Sequence, residues 1–390
     1  MPLPKRTIVH DRIVVITGSE KCVGEIAQEL AISEIYSLFG RPELFHYFYD
    51  KGVLEIRRTF MGRIPFITRK YDFFLLLMPY AVESLDLRNY QTIISSSHTV
   101  AHGILTSAEQ LHISYTYTPV RFAWDLYHEY IHDAGLDRGV KGALAQIILH
   151  KLRNWDALAA QRVDHFVAIS NQVSRRILKS YGRASTVLWP CVDVERFYWK
   201  NSRGDFFLSV GRMVPYKKTL LLIEVFNLLQ LPLILIGEGP DFKRAKALAG
   251  PTITLLGYQD DQVVNDHLHR CRAFVFAANE DFGIAPVEAL AAGAPVIGFG
   301  KGGLLDTVQD GIHGVHFAVQ STDCIVAAVK KFLEFPRDHF HHDVLRLQAE
   351  KFSNARFRGR FRKLVEILEE RFQKDGPAGV RGAIPESDLT

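Results

Sequence analysis

Two carboxylates, Glu280 and Glu288, bracket a turn in the stretch FVFAANEDFGIAPVEALAAGAPVIGFGKGG, residues 274 to 303. Phe274 to Ala278 is a short apolar run that suits a buried parallel strand. Pro286 falls where a first helical turn tolerates a residue without an N–H, so a helix is predicted to begin just after Gly283. The first N–H groups of such a helix, those of Gly283 and Ile284 included, face back toward the strand end. A glycine beside a helix start suits a phosphate. At about 1.5 Å rise per helical residue, Glu288 lies within the first turn from Pro286, so both acids can flank one ligand whose phosphate occupies the helix end. A nucleotide-sugar, with hydroxyls on either side of a diphosphate, has this layout. Taken alone, the pair reads more simply as a capping acid and an ordinary helical acid. A second pair bears on the choice. Arg212 and Lys217 leave the glycine turn at Gly211, after the apolar run Phe206 to Val210. From there both can converge on the strand's carboxyl edge, where two fixed cations neutralise a diphosphate more strongly as water is excluded.

These residues need strands to carry them, and the second half supplies strands alternating with helices. LPLILIGEGP repeats the strand and glycine turn with Gly237 and Gly239, and ITLLGYQDD adds another strand before Gly257 and Tyr258. That alternation builds a doubly wound α/β sheet. Gly-Lys-Gly-Gly at 300 to 303 lacks the spacing of a phosphate-loop NTPase and is expected to let backbone approach the nucleotide. The first half offers two candidate first strands, Arg6 to His10 and Arg12 to Thr17. Gly18 and Ser19 then open an amphipathic helix, as a phosphate-approaching loop or simply as a turn. YQTIISSS leads to His98 and His102, and LHISYTY leads to TPVRFAWDLYHEY, so polar groups gather where open α/β sheets bind ligands. His98 and His102 have helical spacing but no third ligand is evident, which favours structural or acceptor-lining roles over a metal. His267, His269, His339, His341 and His342 read the same way.

The string EDFGIAPVEALAAGAPVIGFGKGG resembles the donor-site signature of retaining glycosyltransferase family 4, whose members have the two-domain GT-B fold: two Rossmann-like, doubly wound α/β domains facing across a cleft. The resemblance implies that Glu280 binds sugar hydroxyls and Glu288 ribose, and that the backbone after Phe282, at Gly283 and Ile284, holds phosphate. It implies that Arg212 and Lys217 are the donor-phosphate cations, and it sets Gly18, Ser19, Gly211, Gly239 and Tyr258 around the donor. SSSHTVAHG…YTYTPVRFAWDLYHEY is similar to a bacterial subgroup containing mannosyltransferases of O-antigen and exopolysaccharide synthesis. There, Tyr117 stands where the family usually carries a histidine close to the sugar, while His98, Arg121, Trp124 and Asp125 fall on the acceptor side. The implied reaction moves mannose from GDP-mannose to a glycan or polyprenyl-linked glycan, with retention. The leaving phosphate oxygen takes the acceptor proton, and no metal or other cofactor takes part. A UDP-sugar donor and a catalytically silent sugar-nucleotide-binding assembly subunit are the alternatives. A nicotinamide dehydrogenase is disfavoured because no Gly-x-Gly-x-x-Gly follows the first strand.

With 390 residues, 47% of them hydrophobic, two cores are expected. The domains are placed at 1–190 and 191–352, with a helix at 353–374 crossing back and a disordered polar tail at 375–390. A net charge of +4 is too mild for a nucleic-acid protein. Cys22, Cys191, Cys271 and Cys324 form no CxxC, which argues against zinc or a disulfide framework and for a reducing, cytoplasmic setting. No apolar run is long enough to span a bilayer. Basic and large apolar residues interleave over 57–80, however. That stretch suits either peripheral contact with an anionic membrane face or a packed helix pair with a solvated cationic side.

Overall fold

The computed structural model describes residues 4–198 and 203–389. The chain divides into two units, one of residues 1–191 with 357–390 and the other of 192–356.

The first unit is built on a seven-stranded parallel sheet: β1 (Arg6–Ile13), β2 (Glu34–Gly40), β3 (Glu55–Arg58), β4 (Thr92–Ser97), β5 (Leu111–Thr116), β6 (His165–Ala168) and β7 (Ser185–Val187), in the order β3-β2-β1-β4-β5-β6-β7. The two candidate first strands resolve into one. β1 takes in the whole of the earlier run and ends inside the later one, pairing Ile8 with Ile35 on one side and Ile94 on the other. The order reverses between β1 and β4, and the carboxyl side of such a reversal is where open parallel sheets bind ligands. β4 is fully buried although half of it is serine. Its hydroxyls are satisfied in place, Ser95 by the Nε2 of buried His112 at 2.8 Å and Ser97 by the Nδ1 of His102 at 3.0 Å.

The second unit carries a six-stranded parallel sheet: β8 (Phe207–Val210), β9 (Leu233–Ile236), β10 (Ile253–Gly257), β11 (Ala273–Phe276), β12 (Val296–Phe299) and β13 (Gly314–Phe317), ordered β10-β9-β8-β11-β12-β13. Its reversal lies between β8 and β11, the two strands that deliver Arg212 and Glu280.

The C-terminal helix Asn354–Asp375 supplies the first unit with an apolar stripe. Phe357 and Phe361 meet the buried Tyr115 edge-on, and Glu369 accepts from Arg6 at 2.8 and 2.7 Å and from Thr92 at 2.7 Å. The polar composition after residue 375 points to a disordered tail, but residues 376–389 are ordered. Val380, Ile384 and Leu389 are buried. The Val380 carbonyl bonds His165 Nδ1 at 2.6 Å, and the Ile384 N–H donates to Thr186 Oγ1 at 2.8 Å. Three spaced apolar residues are enough to dock a segment that is otherwise hydrophilic.

Between residues 57 and 80 the chain makes short helical turns rather than a helix pair. Met61 and Ile67 face the core, whereas Phe66, Phe73 and Tyr80 stand exposed beside exposed Arg63, Arg69 and Lys70. Among the described residues, no helix is long and apolar enough to cross a membrane. Cys22 and Cys191, distant in sequence, bring their sulfurs to 3.4 Å in the first unit's core as free thiols.

Candidate active site

In the second unit, β8 ends at Gly211, and the chain passes through Arg212 into the turn Pro215–Lys217 and then a helix, Thr219–Leu229. Arg212 is exposed, and its guanidinium makes no ion pair among the described residues. Lys217 turns inward onto the loop after β11, where its ammonium is bonded to the Glu280 carboxylate. Burial draws the Lys217 pKa down to about 8. A narrow crevice beside them is lined by Gly211, Arg212, Lys217, Phe276 and Ala278.

The helix predicted after Gly283 runs Ile284–Ala291, with Gly283 as a left-handed N-cap. Glu288 lies in its second turn and is gripped by Arg196, which also pairs with Asp261 at 2.7 Å. Arg196 escapes a reading by motif because it sits in an unremarkable run, VDVERF, just past the first unit. Phe282 is buried and packs edge-on against Phe352, so this side chain anchors the loop. Tyr258, at the end of β10, is 78% exposed.

Two glycine motifs pack against neighbouring backbone. A Cβ on Gly303 would fall inside the backbone of Asp281 and Phe282, and the Gly303 N–H donates to the Glu280 carbonyl at 2.8 Å. The Gly-Lys-Gly-Gly turn therefore clamps the loop that carries Glu280. Gly239 likewise lies against the Met213 carbonyl, so the turn after β9 braces the turn after β8.

In the first unit, Gly18 and Ser19 form the first turn of the helix Gly18–Glu29, capped by Thr17. The Glu20 carboxylate accepts from the Thr17 N–H at 3.0 Å and from the Ser19 hydroxyl at 2.9 Å. Burial works to raise the Glu20 pKa, but His10 and Thr17 outweigh it and hold it at about 2. Tyr117 donates its hydroxyl proton to the Ser19 carbonyl at 3.0 Å and lies 3.1 Å from Ser96 Oγ. Ser96 in turn meets His10 Nδ1 at 3.0 Å. Burial pushes the Tyr117 phenol well above its ordinary pKa.

His98 follows β4, and its Nδ1 is bonded to Asp11 of β1. Trp124 is held from below, its Nε1–H donating to buried Asp156 at 2.7 Å. Asp156 also takes the Tyr181 hydroxyl at 2.8 Å and lies 3.2 Å from His102 Nε2, which makes His102 a structural residue. Asp125 pairs with Arg176 at 2.6 Å. Arg121 closes a turn, its carbonyl accepting from the Leu126 N–H at 2.9 Å. Beside Trp124 opens a surface cavity of about 730 Å³ lined also by Tyr127, His128, His150 and Lys151. Among the described residues, His341, His342 and Asp343 form the one cluster with metal-ligand spacing. It sits at the start of the helix His342–Glu350, and none of its members belongs to the groups above.

Residues 194–344 match the family model described as Glycosyl transferases group 1. That stretch is similar to the group 1 glycosyltransferases. It holds Arg212, Lys217, Glu280 and Glu288, along with most of the second unit. Among curated relatives, an uncharacterized glycosyltransferase of Methanocaldococcus jannaschii is 28% identical over 164 residues, 40% of this chain and 46% of its own. The lipopolysaccharide 1,2-N-acetylglucosaminetransferase of Salmonella typhimurium is 30% identical over 152 residues, 34% of this chain and 40% of its own. The chain thus spans less than half the length of the curated relatives it matches. Solved structures extend the likeness beyond that stretch. Anabaena HepE in complex with UDP-glucose superposes with a TM-score of 0.66 at 14% identity, covering 93% of this chain and 100% of that one. The sucrose-phosphate synthase of Thermosynechococcus elongatus does so with 0.70 at 15%, covering 94% and 99%. At those identities the likeness shows fold alone, and the fold is of the GT-B type, two parallel α/β sheets of seven and six strands.

Proposed function

We propose that this chain is a nucleotide-sugar-dependent glycosyltransferase that passes a hexosyl group to a glycan or polyprenyl-linked glycan with retention at the anomeric carbon. One observation carries the reading: at the strand-order reversal of the second sheet, Lys217 bonded to Glu280, the open guanidinium of Arg212 and the helix start at Gly283 meet on one edge. Such an edge suits a diphosphate joined to a sugar. In this reading Arg212 and Lys217 take up the charge that develops on the departing diphosphate. The N–H groups of Gly283 and Ile284, after Phe282, hold phosphate. Glu280 turns to the sugar hydroxyls, Glu288 to the ribose and Tyr258 to the base, with Gly211 and Gly239 shaping the turns. Tyr117, His98, Arg121, Trp124 and Asp125 serve the acceptor side. The exposed basic and aromatic stretch 57–80 rests on an anionic membrane face, which suits a cytoplasmic enzyme with a lipid-linked acceptor.

The donor has two supported forms. The subgroup resemblance across residues 95–130 favours GDP-mannose, and the UDP and UDP-glucose complexes of the structurally similar HepE favour a UDP-hexose. A silent sugar-nucleotide binder is the second reading, favoured by Tyr117, whose hydroxyl is already engaged by Ser19 and Ser96. The test is titration calorimetry with UDP and GDP, followed by mass spectrometry of products from each nucleotide-sugar with glycan and lipid-extract acceptors. Binding of one nucleotide together with its sugar appearing on an acceptor is the expected result. Binding without transfer or hydrolysis selects the silent binder, and binding of neither nucleotide removes both readings.

A further inference from the structure

We propose that the cavity beside Trp124 in the first unit is a binding site for a hexose that carries a phosphate. Its place in glycosyl transfer rests on the acceptor-side reading of Trp124 above, whereas the site itself lies wholly within the first unit. At about 730 Å³ the cavity has the size of a small-molecule site, for which roughly 300–1,000 Å³ is usual. One wall is the stretch after β5, which supplies Trp124, Tyr127 and His128. The other is the helix Gly139–Ala160. Ala143, Gln146, Ile147 and His150 recur there at helical spacing and so share a face, and the small Ala143 leaves room between the walls.

Arg153, from the same helix, is the oriented cation of the site. Its Nε–H donates to the Ala123 carbonyl at 2.6 Å. Its guanidinium carbon lies 5.9 Å from the Trp124 ring centroid and 5.0 Å from that of Tyr127. Among the described residues nothing bonds or pairs with its two terminal nitrogens. A guanidinium held by one bond and two rings, with its fork open, matches two oxygens of a phosphate. Lys151 adds an exposed ammonium that makes no ion pair among the described residues. The lining holds no carboxylate; of the nearby acids, Asp156 is bonded to Trp124 and Asp125 to Arg176. The charge of the cavity therefore selects an anion. Trp124 and Tyr127 are half-buried, and aromatic rings so placed offer a flat apolar surface to the C–H face of a sugar. The Asn154 amide donates to His150 Nε2 at 3.1 Å, so Nδ1 carries the ring proton and is a donor. Gln146 brings a donor and an acceptor. Inorganic phosphate would leave the rings unused, and a neutral hexose would leave the two cations unmatched. Ile147 is exposed, as are Leu144 and Val140 one and two turns before it. A soluble sugar phosphate and the headgroup of a glycolipid phosphate both present the required hexose and phosphate.

The experiment is calorimetry on the full chain with mannose 1-phosphate, glucose 1-phosphate, the two free hexoses, inorganic phosphate and AMP. One of the hexose phosphates is expected to bind at least about tenfold more tightly than its hexose or inorganic phosphate. Lys151→Gln and Arg153→Lys should each weaken that binding by about tenfold. Lys151 is exposed, so its variant keeps the test decisive if Arg153→Lys lowers stability. A polyprenyl-phosphate-linked hexose in micelles forms the second arm: tighter binding than the soluble form assigns the phosphate to a glycolipid, and equal binding assigns it to a soluble sugar phosphate. No gain over inorganic phosphate, a preference for AMP, or an affinity unchanged by Lys151→Gln overturns the site. If UDP or GDP still binds in that case, the glycosyltransferase reading stands without the cavity. Hexose phosphate binding with neither nucleotide bound leaves the cavity and removes that reading.

Discussion

Lys217 is a cation placed where its charge is conditional. Its ammonium is bonded to Glu280 in the crevice after β8, and burial brings its pKa down to about 8. The charge is therefore present below that value and lost above it, the reverse of what a carboxylate would give. If Lys217 grips a diphosphate, affinity for the free nucleoside diphosphate should hold steady from pH 6 to 7.5. It should then weaken as pH rises through about 8, at most about tenfold per unit. Calorimetry across that range reads the effect directly, and a flat profile to pH 9.5 would remove Lys217 from the phosphate site. Lys217→Ala should abolish this pH dependence and lower transfer by about 100-fold or more, the scale of losing one charge stabiliser in a water-poor site. Glu280→Ala should lower transfer comparably with the fold intact. Near-normal rates in both variants would count against the site as assigned.

At the scale of the element, the Gly-Lys-Gly-Gly turn shows how a glycine motif can brace the loop that carries a site residue. Gly303 lies so close to Asp281 and Phe282 that any side chain would displace the loop bearing Glu280. Gly303→Ala should therefore cost about 1 to 3 kcal/mol of stability by overpacking, seen as a lowered thermal midpoint, and should weaken nucleotide binding as well. A variant with a normal melting temperature and normal affinity would show that the loop tolerates the shift. The parallel strands and the helix after Gly283 were legible because a buried parallel strand reads as a short apolar run and a helix start has its own chemistry. What the glycines touch was not legible, since a positive φ and a close backbone approach leave the same letter in the sequence. Arg196 on Glu288 and Asp11 on His98 were hidden for a related reason. Each partner lies far along the chain, 92 and 87 residues away, and only the sheet order brings them together.

At the scale of the whole chain, composition was a good guide to the number of cores and a poor one to the tail. The segment after residue 375 is polar enough to read as solvent-borne, yet Val380, Ile384 and Leu389 are buried against the first unit's own strands. The same limit applies to 57–80, where sequence alone left packing and membrane contact open. Met61 and Ile67 are taken up by the core. Phe66 and Phe73 are 72% and 85% exposed, with Arg63, Arg69 and Lys70 among them, and water is a poor neighbour for aromatic rings of that size. A surface of this kind gains from an anionic bilayer twice, by about 1 kcal/mol for each basic residue near the headgroups and by removing the rings from water. The protein should co-sediment with phosphatidylserine vesicles and not with neutral phosphatidylcholine, and raising salt to 0.5 M should release much of it. Phe66→Ser with Phe73→Ser should cut partitioning by at least about tenfold, because each ring's burial is worth roughly 1.5 to 3 kcal/mol at most. The melting temperature should not change, since neither ring is in the core. Equal partitioning onto neutral and anionic vesicles would take charge out of the mechanism, and none onto either would leave the exposed rings without a membrane role.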